Sequence, residues 1–219
     1  MAQILLIESA TKTCSIGISV DGKLIAVQED TPESYKHSEI LHQRIDELLQ
    51  EAGRKLSDLD AVCISSGPGS YTGLRIGVSA AKGFCYGAEL KLLSLTTLRS
   101  LSNHAMQLFP SYDFYIPMID ARRMEVYTQV FGANGPENDA EALVLDENSY
   151  SEYLAKGTCL FFGDGSDKAK QIIDDAANFE SITPSVHGLA NDAEQKFFSQ
   201  EFEDTAYFEP FYLKSFMAG

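Results

Sequence analysis

Residues 65–77 read SSGPGSYTGLRIG, a glycine-rich turn that joins a short apolar run to an amphipathic run, Thr72–Tyr86. A turn that feeds a helix presents backbone N–H groups at the helix N-terminus, where an anion is favoured. The stretch lacks the lysine and hydroxyl spacing of a P-loop, so it is not that motif. One interpretation is phosphate binding at Gly67, Gly69 and Ser70. The other is a tight turn whose glycines permit unusual φ angles.

The same order of elements occurs twice, in residues 1–105 and in residues 106–219. Each half reads β-β-β-α-β-loop-α, with an acidic residue, Glu8 or Asp120, at the end of its first strand. Three antiparallel strands extended by parallel strands through crossover helices predict a mixed α/β sheet covered by helices. Two such halves facing each other form an actin-like, sugar-kinase-like architecture with a ligand cleft between them. Helices are predicted at Ser38–Ala52, Thr72–Tyr86, Thr96–Phe109, Ser149–Ala155, from Ser166 to about Ala177, and at Gly188–Gln200.

The candidate nucleotide or phosphate site lies at the strand ends that face this cleft. It consists of Glu8, Ser9, Thr11, Gly67, Gly69, Ser70, Asp120, Gly163 and Gly165. A capped strand end explains the first three residues equally well. Residues 120–127, DARRMEVY, either make polar contacts across the cleft or form a turn with a weak surface ion pair.

The first two predicted helices carry a candidate partner surface. Gly73, Gly77 and Ala81 recur at every fourth position and leave a strip without bulky side chains. Glycine inside a helix costs about 1 kcal/mol relative to alanine, so a close neighbour is expected. That neighbour is either the chain's own sheet or a helix of a partner. The partner surface is predicted to comprise Leu41, Ile45, Leu48, Gly73, Gly77 and Ala81.

The charge is unevenly distributed over the 219 residues, whose net charge is −15. Residues 1–105 carry 10 basic and 12 acidic side chains, whereas residues 106–219 carry 7 basic and 20 acidic ones. Nucleic-acid sites are normally basic because phosphate neutralisation supplies much of the affinity. We therefore expect the second half not to bind nucleic acid directly. The alternative interpretation is that the acidic residues only keep the protein soluble.

Neither the cysteines nor the histidines have metal-ligand spacing. The four cysteines form no CxxC pair and are expected to be small buried hydrophobes. His37 and His42 point about 140° apart on a helix, and His104 and His187 are predicted to stand alone. We expect no bound metal. No apolar run suits a bilayer and the first residues do not resemble a signal peptide, so a cytoplasmic location and no membrane contact are expected.

Several segments together resemble the TsaB (YeaZ) family in sequence and in order. They are Ile7–Ala10 with Cys14-Ser15, His37–Glu39, residues 66–77, residues 120–127, Gly163–Gly165 and Tyr212–Lys214. The GPGSYTGLRIG stretch is the most specific of them. Residues 132–155 and 178–206 match no motif of the family.

The resemblance implies an actin-like subunit that pairs with the catalytic paralogue TsaD, which modifies N6 of adenosine 37 in tRNAs reading ANN codons. The small ATPase TsaE joins the complex, and the subunit forms a homodimer when alone. It contacts tRNA only through the complex. It requires no cofactor, although an adenine nucleotide could bind weakly at a subunit interface. TsaD has a metal-binding HxxxH where this chain has Thr96–Ser100, so the resemblance implies a non-catalytic subunit.

Two other functions remain open from the sequence. A stand-alone actin-like ATPase or small-molecule kinase needs a second carboxylate opposite Glu8, which Asp120 or Asp164 could supply. A metallopeptidase, suggested by the older glycoprotease label, lacks a visible ligand set. ATP turnover by the chain alone separates the first of these from a partner subunit.

Overall fold

The computed structural model describes residues 1–30, 37–173 and 177–214. Its first sheet contains β1 (Gln3–Glu8), β2 (Cys14–Val20), β3 (Lys23–Asp30), β4 (Ala61–Ser65) and β5 (Lys91–Leu95). The spatial order is β3-β2-β1-β4-β5; the first three strands are antiparallel, and β4 and β5 extend β1 in parallel. Asp21 and Gly22 both have positive φ and form the two-residue hairpin turn between β2 and β3.

The second sheet repeats this arrangement. It contains β6 (Phe114–Asp120), β7 (Glu125–Thr128), β8 (Phe131–Gly132), β9 (Gly135–Pro136), β10 (Glu141–Val144), β11 (Cys159–Phe162) and β12 (Asn178–Glu180). Its main path is β10-β7-β6-β11-β12, and the short β8-β9 hairpin pairs with β6. The duplicated actin-like α/β fold predicted from the sequence is therefore confirmed.

Six α-helices connect or cover the strands of the described residues. They are α1 (His37–Glu51), α2 (Tyr71–Ala88), α3 (Thr97–Leu108), α4 (Ser151–Leu154), α5 (Ser166–Ala169) and α6 (Ala190–Phe198). Side-chain caps start α2 and α3, because Ser70 Oγ accepts from Gly73 N and Thr96 Oγ1 from Arg99 N. The helix expected after the second glycine loop is a single turn, α5, and the end predicted for it near Ala177 adjoins residues 174–176, outside the described residues.

The two sheets exchange a covering helix. Helices α1 and α2 cover one face of the first sheet, and α6 covers the other, where Leu189 and Ala193 pack with Ile4 and Leu6. Helix α3 instead packs on the second sheet, through Leu98 and Leu101 among others. The division into halves at 1–105 and 106–219 stays a prediction; in the structure α3 packs on the second sheet and α6 on the first.

The four cysteines are buried and unpaired, which confirms their interpretation as small core residues. Burial raises the pKa of Cys14 to about 12 and that of Cys85 to about 11, so both thiols remain protonated at neutral pH. None of the described helices combines the length and apolar character needed to cross a membrane.

Candidate functional site

The glycine loop of the first half packs tightly against the turn that follows β1. Ser70 N donates to Ala10 O at 2.6 Å, and a Cβ added to Gly69 would overlap the Ala10 backbone. Gly67 has φ +115°, a conformation that favours glycine, and a side chain there would strike the carbonyl of Phe211. The loop is therefore held between the β1 turn and the C-terminal segment.

Glu8 lies completely inside the protein, beside this loop. Its Oε1 accepts a hydrogen bond from Ala10 N at 2.7 Å. Desolvation raises the pKa of Glu8 to about 7, although hydrogen bonds from Ala10 and Ser65 oppose the shift. A buried carboxyl that is half protonated at neutral pH is poorly suited to position a metal–nucleotide complex.

The neighbouring hydroxyls are enclosed as well. Ser9 has no exposed surface and its Oγ donates to Gly73 O at 3.1 Å, while Thr11 is 4% exposed. The open cleft edge expected for Glu8, Ser9 and Thr11 is therefore wrong: the three side chains pack into the first half. Since Ala10 and the Phe211 backbone occupy the two sides of the glycine loop, the residues present do not fit a phosphate group there.

The equivalent loop of the second half is open and charged. Asp120 N donates to Asp164 Oδ1 at 2.9 Å, and Gly165 N donates to Met118 O at 3.0 Å. Gly163 has φ +99°, and a Cβ there would overlap the Met118 carbonyl. The structure thus brings Asp120, Gly163 and Gly165 together at the end of β6, as the sequence predicts.

Lysine side chains form ion pairs with two carboxylates beside this second loop, at the end of β6 and the start of β7. Lys168 Nζ contacts Asp120 Oδ1 and also donates to Glu125 O at 2.9 Å. Lys214, from the C-terminal segment, contacts both carboxylate oxygens of Glu125. Desolvation raises the pKa of Asp164, and the negative charge of Asp120 adds to this effect. The loop is an ion-paired surface, unlike its buried counterpart.

The strip formed by Gly73, Gly77 and Ala81 faces inward. A Cβ added to Gly77 would overlap Ser9 Oγ and press on Ile64 of β4. All three residues are buried, as are the other members of the predicted partner surface, Leu41, Ile45 and Leu48. The prediction that these residues border an outward groove is wrong, because the sheet of the same chain already covers them.

A different groove does open outward on these two helices. Its volume is about 580 Å³ and its lining residues are His42, Arg75, Ile76, Ser79, Ala80, Gly83 and Phe84. A Cβ added to Gly83 or Gly87 would meet no atom within 4 Å, and the nearby Tyr86 is 87% exposed. The signal in the sequence was a second pair of glycines, four residues apart, on the same helix.

The remaining histidines are placed differently from the prediction. His104 and His187 do not stand alone: their rings stack with centroids 5.3 Å apart. Desolvation lowers the pKa of His104, and the neighbouring His187 lowers it further. Within residues 1–30, 37–173 and 177–214, no group of three or more histidine, cysteine or acidic residues is placed to hold a metal ion. The expected absence of metal stays a prediction.

Comparison with known proteins shows which family this chain resembles. Residues 31–207 match the model of the family described as TsaD: tRNA N6-adenosine threonylcarbamoyltransferase. The tRNA threonylcarbamoyladenosine biosynthesis protein TsaB of Escherichia coli is 34% identical over 57% of this chain and 53% of its own length. The TsaB protein of Bacillus subtilis is 30% identical over 78% of this chain and 75% of its own.

A solved structure shows the same fold. YeaZ from Pseudomonas aeruginosa superimposes with a TM-score of 0.85 at 21% identity, over 97% of this chain and all of that one. The chain spans about half the length of the Escherichia coli relative and three quarters of the Bacillus subtilis one. From the extent of the family match and the Bacillus subtilis identity, this chain belongs to the TsaB (YeaZ) family of TsaD-type proteins.

Proposed function

We propose that this chain is a non-catalytic partner subunit that binds TsaD and supports formation of N6-threonylcarbamoyladenosine at position 37 of tRNAs reading ANN codons. Family membership and the names of its TsaB relatives support the pathway. The observation that carries the partner role is the open groove between α1 and α2, because it is an apolar surface on which a helix can pack.

The chemistry of the groove suits a helical partner. Gly83 and Gly87 leave the backbone of α2 uncovered, so another helix can approach closely. Ile76, Phe84 and the exposed Tyr86 supply apolar and aromatic area, which is enriched at interface centres. TsaD is the proposed occupant, and a second copy of this chain takes its place when TsaD is absent.

The region that corresponds to the TsaD metal motif is used for packing. Thr96 caps α3, and the Oγ1 of the buried Thr97 lies 2.7 Å from Ser65 Oγ. Both side chains therefore serve the local structure, which supports a role without catalysis. We further propose that the subunit needs no cofactor, that TsaE joins the assembled pair, and that any adenine nucleotide binds only at a subunit interface.

Replacing Gly83 with leucine tests the groove. The new side chain would project into the groove from open space, since a Cβ added to Gly83 meets no atom within 4 Å. Overpacking of an interface at about 1–3 kcal/mol weakens binding roughly 5- to 150-fold. We expect this loss in TsaD affinity, measured by calorimetry, with no decrease in Tm.

Gln195→Leu is the matched control, because Gln195 is exposed on α6 at the opposite face of the first sheet. It should bind TsaD with normal affinity. If Gly83→Leu folds and binds TsaD as tightly as the control, the groove is not the interface. Appreciable ATP turnover by the purified chain alone would instead favour the ATPase or kinase function.

A further inference from the structure

The turn between β6 and β7 holds two consecutive arginines in an unfavourable backbone conformation. Arg122 has φ 70° and Arg123 has φ 50°. Residues with a Cβ avoid left-handed φ angles, and hairpin turns that need them usually contain Asn, Asp or Gly. Hydrogen bonds from Ala121 N to Glu125 O and from Glu125 N to Arg122 O close the turn. Local stability alone would favour other residues at this tip.

Both arginine side chains are exposed and available. Among the residues that the structure describes, neither guanidinium has a hydrogen-bond or ion-pair partner, and Arg122 is bonded only through its backbone. The adjacent carboxylates of Asp120 and Glu125 are already paired with Lys168 and Lys214. The two guanidinium groups are therefore not held in ion pairs with these carboxylates.

The tip contrasts with the half of the chain that carries it. Residues 106–219 contain 7 basic and 20 acidic side chains. Four of those seven basic residues, Arg122, Arg123, Lys168 and Lys214, lie at this end of the second sheet. An anionic partner is repelled by the rest of this half, so the tip is the place where it can approach.

We infer that the Arg122–Arg123 tip contacts the phosphate backbone of the tRNA once the complex with TsaD has bound it. The planar guanidinium fork matches phosphate oxygens, and an exposed turn can reach a macromolecular backbone more readily than an enclosed ligand. The surrounding acidity keeps the isolated chain from binding RNA strongly. This inference rests on the function proposed above and adds a contact surface to it.

The test uses the complex of this chain with TsaD and an unmodified tRNA that reads an ANN codon. Asparagine tolerates the left-handed conformation, so Arg122→Asn/Arg123→Asn removes charge without disturbing the turn. We expect tRNA affinity to fall about tenfold, and the slope of log K against log salt to shrink by about 1 to 2. Tm and TsaD affinity should not decrease.

The double variant Lys156→Gln/Lys170→Gln is the control, because it removes the same charge from exposed positions of the same half. It should leave the salt slope unchanged, and Arg122→Lys/Arg123→Lys should retain most of the binding. Equal salt slopes for the asparagine variant and the wild type would overturn the inference. So would an asparagine variant that loses TsaE recruitment instead of tRNA affinity, since the tip would then bind an acidic protein. Failure of the wild-type chain to bind TsaD would contradict the proposed function itself, and is seen separately in the calorimetry.

Discussion

The two glycine loops occupy equivalent places in the duplicated fold but have opposite environments. The loop at Gly67 and the adjacent Glu8 are packed against the chain's own backbone, and Glu8 has no exposed surface. The loop at Gly163 and the adjacent Asp120 are ion-paired at the surface with Lys168. Strand order is the same in both halves, so the backbone frame does not determine the chemistry at the strand ends.

The ends of equivalent strands therefore differ in packing and in charge. In the first half, close packing of small residues produces a rigid support for α1 and α2. In the second half, Arg122 and Arg123 are exposed, whereas Lys168 and Lys214 are held in ion pairs. We expect substitutions in the first half to act through packing and desolvation, and those in the second half to act through charge.

Gly77→Leu should give the largest effect. The side chain has no space beside Ser9 and Ile64, so we expect the free energy of unfolding to fall by about 3 kcal/mol. Thermal unfolding should show a Tm lower by roughly 6–12 °C for a chain of this size. Gly83→Leu on the same helix is the control and should melt normally. A normal Tm for Gly77→Leu would mean that the first-half loop is not packed as described.

Glu8→Gln should show how strongly burial desolvates the Glu8 carboxyl. The pKa of Glu8 is near 4.5 in the unfolded chain and about 7 in the folded protein. Its contribution to the free energy of unfolding is therefore fully present below pH 4.5 and is lost as the pH rises through 7. Relative to the wild type, the glutamine variant should gain about 2–3 kcal/mol between pH 4.5 and 7.5. Urea unfolding at both pH values measures this gain. A constant difference between the two proteins would contradict the buried, protonated carboxyl.

Lys168→Met should give the smallest effect, because the ion pair with Asp120 is partly exposed. The lysine is 17% exposed and the aspartate 46%. We expect a loss of about 0.5–1 kcal/mol at low salt, shrinking as NaCl is raised to about 1 M. Urea unfolding at the two salt concentrations provides the measurement. A salt-independent loss as large as that of Gly77→Leu would abolish the distinction between the halves.

The strand order could be predicted from sequence because the signals are local. Apolar alternation, the Asp21-Gly22 turn and the repeated acidic residue at each first strand end all lie within short windows. The family-specific stretch at residues 66–77 then indicated the kind of fold. These features survive in the structure with changes of only a few residues at element ends.

The orientation of side chains on α2 could not be predicted in the same way. Glycines at 73 and 77 and at 83 and 87 have the same spacing, and only the position of the sheet decides which pair is covered. The sequence also does not predict that α3 packs on the second sheet and α6 on the first, because an amphipathic pattern does not specify which sheet the apolar face of a helix contacts. The stacking of His104 on His187 depends on that exchange and was missed with it.

The exchange of helices also constrains how the chain can fold as it leaves the ribosome. The first sheet is complete once Leu95 has been synthesised, but the face that α6 covers stays bare until Ala190–Phe198 emerge. Contacts between such distant segments form late and expose apolar surface in the meantime. Nascent chains should therefore expose this apolar face until α6 has been translated.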